Sequence, residues 1–288
     1  MRWTPGNESS NIEDRRGDSG GGGIGGLHLG IGGTVIVLVL SLLFHRNLFT
    51  LLGSGGDTAT QTSGDTSAPP AAETPAEHEE VQFVSFVLDD AQQTWGKILP
   101  QEGQSWHDAK LVLFRDGVQS GCGQAETAMG PFYCPLDEKV YIDLGFYDEL
   151  RDRFGAPGEF AQAYVLAHEL GHHVQHLEGI DERMRRLQQQ HPDQANDLSV
   201  RLELQADCYA GVWGHSTEQR QLLDPGDIES GLQAAASVGD DRLQKMTTGH
   251  VSPESFTHGT SAQRASWFKR GFDSGDPKSC DTFASNAA

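Results

Sequence analysis

Residues 160–179 read Phe-Ala-Gln-Ala-Tyr-Val-Leu-Ala-His-Glu-Leu-Gly-His-His-Val-Gln-His-Leu-Glu-Gly, and no other stretch constrains the fold so tightly. Phe160, Tyr164, Val165, Leu166, Leu170, Val174 and Leu177 make it a helix that must be buried, while Ala167 and Gly171 leave room for a neighbouring helix. Gly179 is placed to end it as a C-cap. Within it, His168 and His172 are four apart and therefore lie one turn above each other on one face, where both imidazoles can aim at one point. Glu169 lies beside that face, within reach of a water held there but poorly placed to ligate. This is the HExxH pattern, with roles of zinc ligand, general base and zinc ligand.

A third ligand separates a metal site from a histidine-rich helix, and spacing removes the nearby candidates. His176 continues the histidine row, but at 1.5 Å per residue it lies about 12 Å from His168, too far to share an ion with bonds of about 2 Å. It reads as a surface or second-site histidine. Gln175 and Glu178 stand where the extended metzincin pattern needs glycine and histidine. Further on, residues 198–213, Leu-Ser-Val-Arg-Leu-Glu-Leu-Gln-Ala-Asp-Cys-Tyr-Ala-Gly-Val-Trp, form a second apolar helix carrying Glu203 and Asp207 four apart. A carboxylate buried without a partner is costly, so two on one face of such a helix ask for compensation. Glu203 is the expected third zinc ligand, with a fourth position left to water, and Asp207 the expected acceptor for the Nδ1 proton of a ligating histidine. The competing assignment is a solvated face paired to Arg201.

A HExxH helix followed by a helix bearing Glu-x-x-x-Asp is similar to the glutamate zincins, the class of thermolysin and the integral-membrane zinc peptidases. Met1-Arg2-Trp3, Glu-Ser-Ser-Asn-Ile-Glu-Asp-Arg-Arg-Gly at 8–17, Pro-Phe-Tyr-Cys-Pro at 131–135, Val-Tyr-Ile-Asp-Leu at 140–144, Phe-Gly-Ala-Pro-Gly at 154–158 and Ser-Phe-Thr-His-Gly at 255–259 resemble the bacterial neutral zinc metallopeptidase family over nearly the whole chain. The resemblance implies a membrane-anchored zinc peptidase and leaves its substrate open. His258 and Arg264 also resemble, in spacing, the His-Pro-x-x-x-x-Arg segment that lies near the substrate in membrane zinc peptidases, with Gly259 in place of the proline. Some group must steady the oxyanion that develops during hydrolysis. Tyr209, His250 and His258 are the candidates, and His258 joins Glu169 as a candidate catalytic residue.

The rest of the chain supplies the setting. Residues 1–26, polar and then glycine-rich, read as a flexible tail. Residues 27–44 carry no formal charge and would span about 27 Å as a helix, which points to an uncleaved transmembrane anchor over 27–52. Arg2, Arg15 and Arg16 precede it and Arg46 follows, a bias for a cytoplasmic N-terminus and a catalytic part in the periplasm or outside the cell. Residues 53–80 read as a disordered tether, and 81–288 as the domain. A formal charge of −20 argues against nucleic acid as a partner. The four cysteines contain no Cys-x-x-Cys pair, which disfavours an all-cysteine zinc site. In an oxidising compartment Cys122 would pair with Cys134 across a hairpin region, and Cys208 with Cys280, stapling the tail to the second helix; this is one of three connectivities.

Within the domain, a helix at 81–99, strands at 110–114 and 139–144, a glycine-bearing hairpin region at 121–135, and helices at 224–238 and 261–271 are expected. The expected fold is α+β and zincin-like, with a small antiparallel sheet whose edge could receive an extended peptide, on a single N-terminal transmembrane helix. The function expected is zinc-dependent hydrolysis of protein or peptide substrates, with Zn2+ on His168, His172 and Glu203. The competing function is a zinc-stabilised, non-catalytic envelope binding or scaffold protein. A structural zinc of that kind more often has four protein ligands, usually including cysteine.

Overall fold

The computed structural model describes residues 1–6, 8–18, 73–156 and 158–284. Thr74 opens the first helix, α1 (Pro75–Gln101): its side chain accepts the Glu77 N–H while the Glu77 carboxylate accepts the Thr74 N–H, with proline in the first turn. This capping box starts the helix six residues ahead of the expected position, inside a stretch whose composition reads as tether. Val81, Val84, Val87, Leu88, Ala91, Trp95 and Leu99 form its buried face.

Strands β1 (Ile12–Asp14), β2 (Lys110–Phe114), β5 (Phe132–Cys134) and β6 (Lys139–Asp143) form one sheet in the order β1-β2-β6-β5, and β3 (Gly117–Ser120) pairs with β4 (Gly123–Glu126) as a separate hairpin. The sheet is mixed, not antiparallel as expected. Between β2 and β6 the chain spends residues 115–138 on that hairpin and on β5, and so re-enters beside β2 in the same direction. Within this four-stranded sheet, the tight return from β5 to β6 gives the one antiparallel pair. The flexible tail expected over residues 1–26 is corrected for its first part. Ile12–Asp14 run parallel to β2 in register with Leu111–Leu113, Lys139 Nζ holds Glu13 at 2.8 Å, and Trp3 packs edge-on against Phe83. Backbone pairing to an open strand and partial burial of one tryptophan against the core outweigh a polar composition here. The expected span at 27–44 and the tether up to residue 72 lie outside the described residues; among those described, no helix is long and apolar enough to cross a membrane.

The helical part comprises α2 (Gly145–Asp152), α3 (Glu159–Leu177), α4 (Ile180–Gln190), α5 (Ala195–Gln219), α6 (Asp227–Ser237), α7 (Asp240–Thr247) and α8 (Ser261–Ser274). Helix α3 runs through the main core, where Phe160, Tyr164, Leu166 and Leu170 join Leu111, Leu113 and Ile142 of the sheet with Trp213 of α5 and Phe268 of α8. It ends where expected, with Gly179 at φ 67° and its N–H on the His176 carbonyl. A Cβ on Gly171 would stand 2.9 Å from the Ala206 carbonyl oxygen, so only glycine lets α3 and α5 approach this closely. That approach carries Glu203 and Asp207 to the histidine face. Both expected disulfides, Cys122–Cys134 and Cys208–Cys280, are formed.

Candidate metal centre

The His168 and His172 rings lie 4.9 Å apart, centre to centre, on one face of α3. Across from them Glu203 places Oε2 3.2 Å from His168 Nε2 and Oε1 3.5 Å from His172 Nε2. One donor atom from each of the three falls within 4.8 Å of the others. Two imidazole nitrogens and a carboxylate oxygen are the donor set and number that an open zinc site takes, so these residues fit the ion. Burial alone would raise the Glu203 carboxyl, but His172, His258 and His168 around it hold it well below the usual range.

Behind the histidines lies a buried polar cluster. Asp207 accepts from His168 Nδ1 at 2.9 Å, from Arg264 Nε at 2.8 Å and Nη2 at 2.9 Å, and from the Tyr164 hydroxyl. Burial opposes its charge, yet Arg264 and His168 hold its carboxyl below the ordinary value. For His168, burial pulls the pKa down, and Asp207 with Glu203 overrides it and lifts it to about 10. His172 Nδ1 instead meets Gln175 Oε1 at 2.8 Å. Glu169 is buried beside this group, and loss of solvent raises its carboxyl above the usual range.

His258 is half-exposed and stands on the loop before α8, its Nδ1 3.3 Å from Asp240 Oδ1. Asp240 Oδ2 also accepts the backbone N–H groups of Thr257, His258 and Gly259, which pins that loop against α5 at Val200 and Leu204. The other two oxyanion candidates are not brought to the site. Tyr209 is buried against Trp95 and donates to Glu178, and His250 is exposed beside Thr248. His176 turns to Asp181 at 3.0 Å. Arg201 pairs with Asp197, not with Glu203 or Asp207. The sequence offered no role for Tyr164 or Gln175. A signal existed, because a hydroxyl and an amide on the apolar α3 must find buried partners.

The family described as "Putative neutral zinc metallopeptidase" matches residues 1–283. This chain belongs to that family. Its similarity to the protein YpfJ of Escherichia coli (strain K12) is 49% identity over 289 residues, covering 98% of this chain and 99% of the relative. Protein Mb2605 of Mycobacterium bovis is 46% identical over 201 residues, 66% of each chain. No solved structure matches. The match of the zinc metallopeptidase family reaches back to residue 1, in keeping with the N-terminal strand being part of the domain.

Proposed function

We propose that this protein is a zinc-dependent endopeptidase in which His168, His172 and Glu203 hold the ion and Glu169 is the general base. The observation that carries the proposal is the convergence of two imidazoles and one carboxylate with a second, separate carboxyl buried beside them. When bound, zinc supplies a Lewis acid that brings the pKa of a coordinated water to about 7 and polarises the carbonyl under attack. Glu169 takes the proton of the attacking water on a carboxylate oxygen and passes it to the nitrogen of the leaving amine. Its raised pKa suits both steps. Asp207 keeps the Nδ1 proton on His168, which would leave the Nε2 lone pair for the ion. The His258 ring, beyond Glu203, donates a hydrogen bond to the oxyanion. An extended substrate lies along β5, the strand at the sheet edge next to α3.

All four cysteines are consumed in disulfides. No thiolate is then left to close a four-ligand structural site, which favours the enzyme over the scaffold. The same pairing suits work in an oxidising compartment outside the cytoplasm. Two isosteric changes test the proposal on the full chain. Glu169→Gln keeps one zinc per chain and loses cleavage of casein, whereas Glu203→Gln loses zinc. Wild-type protein that holds zinc yet cleaves nothing in a broad peptide library, with Glu169→Gln indistinguishable from it, would move the assignment to the structural alternative.

A further inference from the structure

His168 and His172 solve the same problem with different chemistry. A ligating imidazole must carry its proton on the nitrogen away from the metal. For His168 the partner is the carboxylate of Asp207, which when ionised can only accept, so Nδ1 is the protonated nitrogen. For His172 the partner is an amide, and an amide can present either an acceptor or a donor. If Gln175 turned its nitrogen to the ring, Nδ1 would have to accept. The proton would then sit on Nε2, the nitrogen 3.5 Å from Glu203.

Two backbone carbonyls decide which way the amide faces. Gln175 Nε2 donates to the Leu202 carbonyl at 2.8 Å and to Gln205 Oε1 at 3.1 Å, spending both of its protons. Gln205 is oriented in turn, because its Nε2 donates to the Cys280 carbonyl at 3.1 Å and leaves Oε1 as the acceptor. A carbonyl cannot donate, so the polarity is forced in one direction from Cys280 through Gln205 and Gln175 to Nδ1 of His172. Gln175 and Gln205 are only 1% and 4% exposed, which leaves water no access to substitute for either partner.

The far end of this chain of amides is held covalently. Cys280 closes the turn Pro277–Cys280 after α8 and is bonded to Cys208, the residue that follows Asp207 on α5. Arg201 and Thr282 add a reciprocal pair, Arg201 Nη1 to the Thr282 carbonyl at 2.9 Å and Thr282 Oγ1 to the Arg201 carbonyl at 2.7 Å. We infer that Gln175 and Gln205 are positioning residues of the metal centre and that the Cys208–Cys280 bond anchors them, so that the oxidised disulfide maintains the metal affinity of His172. The inference rests on His172 being a zinc ligand. Reduction by a dithiol transfers two electrons and two protons to the cysteine sulfurs, giving two thiols while the reductant closes its own disulfide. The Cys280 carbonyl then loses its covalent anchor and Gln205 its fixed acceptor.

The test is a competition titration of zinc against a chromophoric chelator on the full chain, with near-ultraviolet circular dichroism as the check on folding. Gln175→Leu weakens zinc binding by about 10- to 100-fold, the usual effect of removing a hydrogen-bond partner from a metal ligand. Gln205→Met and the double variant Cys208→Ser/Cys280→Ser each weaken it by up to about 10-fold, at the lower end of that range. Neither adds a further loss in the Gln175→Leu background, because both act through Gln175. A general loosening of the fold would instead give losses that add. The control Cys122→Ser/Cys134→Ser leaves affinity unchanged. Folded Gln205→Met protein with wild-type affinity, or additive losses in the Gln175→Leu background, overturns the inference. Should the Cys208→Ser/Cys280→Ser protein not fold, the Gln205→Met arm decides alone. A His172→Ala protein that keeps wild-type affinity overturns the ligand assignment itself, an outcome that the Gln205 arm does not mimic.

Discussion

Replacing Arg264 by methionine tests the buried cluster behind the metal centre most directly. Arg264 is 3% exposed and Asp207 fully buried, and their two hydrogen bonds of 2.8 and 2.9 Å supply half of the carboxylate's donors. Methionine fills similar space but supplies neither charge nor donor. Asp207 keeps only Tyr164 and His168, and a second carboxylate, Glu203, shares the same low-dielectric neighbourhood. Breaking one side of a buried ion pair costs about 3–5 kcal/mol because the other charge stays buried. At about 2–4 °C per kcal/mol for a domain of this size, melting should fall by roughly 6–20 °C in metal-free protein. Zinc brings two positive charges to the same cluster, so the deficit should shrink when the ion is added. Differential scanning calorimetry of wild type and Arg264→Met, each with and without zinc, measures both quantities. A metal-free variant that melts within about 2 °C of wild type would refute the assignment of Arg264 as the charge partner of Asp207.

Three other outcomes follow from the structure. His173 is buried with Nδ1 accepting from the Tyr133 hydroxyl and Nε2 donating to the His107 carbonyl, and burial lowers its pKa from 6.5 to about 4. Unfolded chain therefore takes the proton first, and stability that is complete above pH 6.5 falls by about 3 kcal/mol as pH drops toward 4. Urea titrations at several pH values should show this slope, and His173→Gln should flatten it. Gly171→Ala forces the α5 backbone at Ala206 away from α3, costing about 1–3 kcal/mol by overpacking and weakening zinc binding as Glu203 moves with it; unchanged zinc affinity would count against the close approach as the cause. Opening Cys122–Cys134, a separation of 12 residues, should cost about 3 kcal/mol in chemical denaturation by the loop-entropy relation.

The site was legible to the extent that helical periodicity reports it. His168 and His172 declare a shared face by spacing, and Glu203 and Asp207 stand out because ionised groups rarely occupy a helix as apolar as α5. The supports were less legible because they are set by tertiary approach. Gln175 and Gln205 look in sequence like ordinary polar helix positions, and their pairing depends on the α3 and α5 contact that Gly171 permits. The direction of β2 relative to β6 depends on how the intervening residues 115–138 wander, which alternation along either strand does not encode. For β1 the local signal pointed the wrong way. Ile12, Glu13 and Asp14 carry one apolar side chain between them and gain their structure from the backbone of Leu111–Leu113.

That short strand also decides which stretches of the chain share a compartment. Residues 9–18 and residues 73–284 belong to one folded unit, joined by β1 beside β2, by Ser9 on Asp89 and by Lys139 on Glu13. Two ends of a segment that return to the same globule must be on the same side of any bilayer. The β1 pairing therefore keeps Ile12–Asp14 in whichever compartment holds the sheet.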